Sequence, residues 1–107
     1  MNTEERIYRN SEISEKVLEK TFVEKVREMG LIVIKNQDPM QSGMPDRLVV
    51  MPRGKVAWVE FKSRGKHMTA LQSNRAKKLS EMKHLVILID SRKDLDIALA
   101  FIKGCID

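Results

Sequence analysis

Apolar residues along the chain change period several times, and each change marks an element. From residue 12 to 29, Val17, Leu18, Phe22, Val26 and Met29 recur near the 3.6-residue spacing of a helix face, and Gly30 stands where a left-handed residue ends a helix. Leu31 to Lys35 is a short β-branched run and reads as a strand. The polar, turn-rich stretch from Asn36 to Met44 reads as a loop. Arg47 to Met51 and Lys55 to Lys62 predict two more strands, joined by a hairpin turn at Pro52, Arg53 and Gly54. After a basic loop, Ser63 to His67, Thr69 and Gln72 have the spacing of a capping box. The helix they open is expected to reach about Met82, with Leu71, Leu79 and Met82 facing inward. Leu85 to Ile89 is apolar throughout and predicts a buried strand, and Asp94 is expected to cap a last helix that closes at Gly104.

The resulting order, α-β-β-β-α-β-α, predicts an α/β domain with a mixed sheet flanked by helices. At 107 residues there is room for one domain and one core, so residues 1–107 are read as a single unit, with 1–11 as a loose N-terminal extension. The longest apolar run, Leu85 to Ile89, is far too short to span a bilayer, and the charged N-terminus lacks the apolar stretch of a secretory signal. A single cysteine, Cys105, excludes an internal disulfide and a thiolate metal cluster. These features favour an intracellular, cytoplasmic protein. Cys105 reads as an idle thiol, His84 as structural, and the seven methionines as core filler.

Charge changes the picture once it is located. The formal net charge is +5, but residues 1–30 hold six Lys/Arg against seven Asp/Glu. Residues 47–83 hold ten Lys/Arg against only two acids, Glu60 and Glu81. Clustering of that kind is a footprint for a polyanion, although a merely solvated basic surface would look the same. With one Tyr, one Trp and three Phe, a base-stacking platform is not expected, so contact with duplex phosphates is the better reading. Arg64 and Lys66 in the basic loop, and Arg75, Lys77 and Lys78 on the next helix, are the candidates for it. His67, in the same loop, is a weaker one.

Candidate chemistry sits on the third strand. Alternation points Val56, Trp58, Glu60 and Lys62 one way and Ala57, Val59 and Phe61 the other. Both faces begin apolar, as for a strand covered on two sides, and charge enters only at the C-terminal end of one face. Antiparallel pairing about Arg53 puts Asp46 near Lys62 and makes Asp46 and Glu60 neighbours. Adjacent carboxylates repel unless they share a cation, and Mg²⁺ is commonly held by one or two carboxylates together with water and phosphate. A nearby lysine can offset charge developing on a phosphate. E-x-K alone would more often be a simple salt bridge from Lys62 to Asp46 or Glu60.

The wider pattern is more specific. G-M-P-D (43–46), a short hairpin, V-E-F-K (59–62), the loop S-R-G-K-H-M-T and Gln72 on the following helix together resemble the virus-type replication-repair nuclease (VRR-NUC) domain of the PD-(D/E)xK superfamily. The resemblance extends from about Glu15 to Asp90. It implies a restriction-endonuclease-like core and a DNA endonuclease dependent on Mg²⁺ or Mn²⁺. It also implies that Asp46, Glu60 and the backbone carbonyl of Phe61 are metal ligands, that Lys62 is the catalytic lysine and that Gln72 lies near the site. A helix-1 acid completes the family set, and Glu19 is preferred to Glu15 by its spacing from Gly30. Small stand-alone relatives resemble junction-resolving enzymes of phage, which implies a homodimer acting on branched DNA such as a Holliday junction, in replication, recombination or repair. A nickase or flap nuclease working with a helicase, and a non-catalytic basic nucleic-acid-binding module, are the alternatives.

Overall fold

The structure is a computed structural model that describes the backbone of residues 3–37 and 43–107, with side chains in the first helix described from Glu15 onward. Residues 1 and 2 of the expected extension and 38–42 of the expected loop lie outside the described residues. Seven elements follow one another: α1 (Thr3–Glu28), β1 (Ile32–Lys35), β2 (Arg47–Val50), β3 (Val56–Phe61), α2 (Ala70–Glu81), β4 (Leu85–Ile89) and α3 (Arg92–Ile106). The order is the expected one. The helix α1 begins well ahead of residue 12, however, because its early turns carry helix-compatible residues without Gly or Pro, whereas apolar period reports burial rather than helicity.

The four strands lie in the order β1-β2-β3-β4. The first three form an antiparallel meander, and β4 joins β3 in parallel after the α2 crossover, which makes the sheet mixed. In the β2–β3 hairpin Arg53 and Gly54 take φ of 63° and 72°, the two left-handed residues that a primed hairpin turn requires. Gly30, at φ +84°, ends α1 as expected.

One face of the sheet is the core. Val33, Val49, Ala57, Val59, Phe61 and Ile89 are buried there beneath Leu18, Phe22, Val23 and Val26 of α1 and Leu95, Ala98 and Ile102 of α3. Phe22 and Phe61 meet edge to face with ring centroids 5.5 Å apart. The opposite face is only partly covered. There α2 buries Leu79, while Leu71 and Met82, expected inward, are exposed. Ile32 and Ile34 of β1 are also exposed on this side, so the second face of the sheet is not the sealed layer that the apolar pattern of β3 suggested. The strand β4 is an edge strand with Leu88 exposed, rather than a buried one. On α1, Val17 likewise faces solvent although it shares the apolar period.

The start of α2 follows expectation, and α3 differs from it at both ends. Thr69 and Gln72 form the full reciprocal capping box of α2. At α3 the N-cap is Ser91, whose hydroxyl accepts from the Asp94 N–H at 3.1 Å, so Asp94 occupies the first turn instead of the cap. Gly104 lies inside α3, which continues to Ile106.

Candidate active site

The site forms where β3 leaves the sheet, on the less covered face. The β2–β3 ladder pairs Arg47 with Val59, and one further step brings Asp46 opposite Glu60, with Lys62 beyond it. Asp46 is fixed by the backbone: its Oδ2 accepts the Phe61 N–H at 3.1 Å, and its own carbonyl accepts the Asn36 N–H at 2.9 Å. The loop that delivers it is fixed from behind. Gly43 has φ +82°, and a Cβ there would meet Leu71 Cγ at 2.6 Å and the Leu71 carbonyl oxygen at 3.0 Å. The glycine of G-M-P-D is thus what lets the Asp46 loop lie against the first turn of α2.

Glu60 is 3% exposed. Burial, then the charge of Asp46, then a side-chain hydrogen bond with Asp46 push its carboxyl up to about 8, with Lys62 opposing and Glu15 adding to the rise. Lys62 Nζ lies 3.8 Å from Glu60 Oε1. At that distance it moderates the repulsion between the two acids without forming a close ion pair. Gln72 reaches the same carboxylate from α2. Its Oε1 accepts the Thr69 N–H at 2.9 Å to complete the cap, while its Nε2 donates to Glu60 Oε1 at 3.5 Å. One side chain serves both the helix start and the site.

The two helix-1 acids part company. Glu19 Oε2 pairs with Arg47 Nε at 3.1 Å, on the core side of β2. Glu15 Oε2 accepts from the Ser63 hydroxyl at 2.8 Å, directly after the E-x-K, and its charge acts on Glu60. The spacing from Gly30 favours Glu19, but the geometry brings Glu15 to the site. Ser63 is only 2% exposed; the sequence places it at the start of the basic loop without a role of its own, although its position beside Lys62 is a signal. Of the phosphate candidates, Arg64, Lys66 and Lys78 are exposed. Arg75 is half-buried, with its Nε enclosed and lacking a hydrogen-bond partner among the described residues. His67 is exposed, while His84 binds the Trp58 indole N–H through Nδ1 at 3.0 Å. Cys105 is a free, half-buried thiol whose carbonyl accepts from Arg53 at 2.6 Å.

Among the described residues no three of His, Cys, Asp and Glu form a ready metal cage. The donor set nonetheless suits a hard cation. Two carboxylates meet in a sparsely solvated place, where burial first and the neighbouring Asp46 second favour the protonated form of Glu60.

No protein-family model matches the chain. The protein named "Putative nuclease p44" of Acyrthosiphon pisum secondary endosymbiont phage 1 is 40% identical over 80 residues, which span 75% of this chain and 86% of that protein. A solved structure described as a VRR_NUC domain shares the fold with a TM-score of 0.73 at 26% identity, over 80% of this chain and 94% of its own. With Asp46, Glu60, Lys62 and Gln72 gathered at one end of a mixed sheet, and with relatives of that identity and coverage, the chain belongs to the VRR-NUC nuclease family.

Proposed function

We propose that this protein is a DNA endonuclease that hydrolyses phosphodiester bonds with Mg²⁺ or Mn²⁺. The observation that carries the reading is the meeting of Asp46 and Glu60 beside Lys62, at the head of a stretch, residues 47–83, that holds ten Lys/Arg and two acids. Asp46, Glu60 and the Phe61 carbonyl would hold the cation, with Glu15 the better-placed helix acid and Glu19 engaged by Arg47. When bound, such a cation supplies Lewis acidity toward a phosphoryl oxygen and lowers the pKa of water. Lys62 offsets negative charge that grows on the phosphate, at a position where partial burial strengthens its field. Gln72 holds Glu60 in place from the rigid start of α2. Arg64, Lys66, Arg75 and Lys78 extend the site as a track for neighbouring phosphates.

The preferred substrate is branched DNA of the junction type, cut by a homodimer whose two-fold symmetry matches that of a four-way junction. The deciding experiment is cleavage of labelled four-way junction, flap, nicked and linear duplexes with Mg²⁺ or Mn²⁺. Wild-type protein should cut in either metal, with the junction preferred, while Lys62→Ala and Glu60→Gln should lose at least about 100-fold in rate yet still bind. A protein that binds every substrate and cuts none in any divalent ion would be a binding module.

A further inference from the structure

The less covered face of the sheet carries a second feature one residue row from the acids. Trp58 lies two positions before Glu60 on the same face, roughly 6.6–6.8 Å along the strand. Directly across the sheet, Trp58 pairs with Leu48 and Leu48 with Ile34. This row forms the floor of an open groove of about 410 Å³, with Met44 of the Asp46 loop and Lys35 also lining it. The groove is therefore continuous with the loop that presents Asp46.

Beyond the groove Trp58 is extended by His84, which lines the neighbouring hollow and not the groove itself. Their rings are inclined by only 16° with centroids 6.5 Å apart, and the Trp58 indole N–H donates to His84 Nδ1 at 3.0 Å. Those three values describe two rings lying edge to edge, not one above the other. Together they present a single flat aromatic plate, locked in orientation by the hydrogen bond. Lys55 and Lys83 lie on the far side of the plate, lining a second hollow with His84. An apolar floor that includes the flat Trp58 ring, with Lys35 at its margin and Lys55 and Lys83 in the neighbouring hollow, does not suit a phosphate within the groove. It suits a planar heterocycle whose phosphates run along the rim.

We propose that this groove takes an unpaired nucleobase of the substrate strand, stacked on Trp58, whose ring His84 holds in orientation, while the adjoining phosphate lies at Asp46 and Glu60. The inference rests on the nuclease reading and narrows its substrate class: the protein selects DNA in which a base beside the cut is out of the duplex, as at a branch point. The low count of aromatic residues argues against an extended stacking platform, and a single base needs only the one indole.

Trp58 is the only tryptophan, so its fluorescence reports on the groove alone. Full-length protein in EDTA is titrated with a short oligo-dT strand, with an abasic strand of the same length and charge, and with a fully paired duplex. Oligo-dT should quench the emission saturably, and the abasic strand and duplex should bind without comparable quenching. Trp58→Ala should weaken oligo-dT binding by roughly 5- to 150-fold while leaving the abasic strand unaffected, and Trp58→Phe should retain most of the affinity. Equal quenching by the abasic strand overturns the proposal. So does a change in emission that follows protein concentration without DNA, which would make the face a contact between copies of the chain. Should Trp58→Ala fail to fold, the wild-type titration still decides. Cleavage in Mg²⁺ is scored separately: cutting without quenching removes the base pocket and spares the nuclease, and quenching without cutting does the reverse.

Discussion

Glu60 is the buried acid of the candidate site. Its carboxyl, normally near 4.5, is raised to about 8 by burial first and by Asp46 second. Between those values the folded protein keeps a proton that the unfolded chain gives up. Stability from this group is therefore complete below about pH 4.5 and is lost as pH climbs through 8. Metal-free protein should melt at a lower temperature at a pH above 8 than near neutrality, and Glu60→Gln should flatten that dependence in thermal scans. Mg²⁺ should restore more stability at the alkaline end, since a cation there replaces the proton. Gln72 allows its two duties to be separated. Gln72→Glu retains a capping-box residue but sets a third carboxylate against Glu60, so melting near neutral pH should change little while cleavage falls. Gln72→Ala loses both, with about 1 kcal/mol of helix stability as the structural part.

At the scale of elements, the site depends on three pieces being held in register. The hairpin aligns Asp46 with Glu60, α2 docks on the Asp46 loop through Gly43, and α1 is tied to the sheet at two acids. Gly43→Ala meets both a left-handed backbone and the Leu71 carbonyl, which no side-chain rotation relieves. It should cost about 1–3 kcal/mol in chemical denaturation and reduce cleavage in the molecules that remain folded. The two acids of α1 make opposite predictions. Glu19→Gln strands the Arg47 guanidinium and should lower stability, while Glu15→Gln, which affects the Ser63 hydroxyl and the field at Glu60, should mainly lower cleavage. Measured melting temperature and turnover for the pair would show the reverse pattern if Glu19 were the site acid. The capping box of α2 was legible because it is a local exchange between residues three apart. The cap of α3 was misread because Ser91 and Asp94 are both good cap residues, and the backbone decides between them.

Over the whole molecule, charge and coverage set the behaviour. The basic belt of residues 47–83 should make DNA binding fall steeply with salt, with log Kd against log salt giving a slope of several phosphates. Sedimentation of the free protein should show the dimer that a two-fold substrate calls for. The order of elements, the Gly30 stop, the hairpin and the meeting of Asp46 with Glu60 were all determined by the sequence alone. Each follows from a local period or from a turn that fixes register, and such information needs no distant partner. Tertiary structure alone decided which face of the sheet stays open, which helix acid reaches Glu60, and that Trp58 and His84 join in one plate. Periodicity records that a residue has an apolar neighbourhood but not which element supplies it. Contacts between residues 26 or 48 positions apart are created only when β4 pairs with β3 and α1 settles on the sheet.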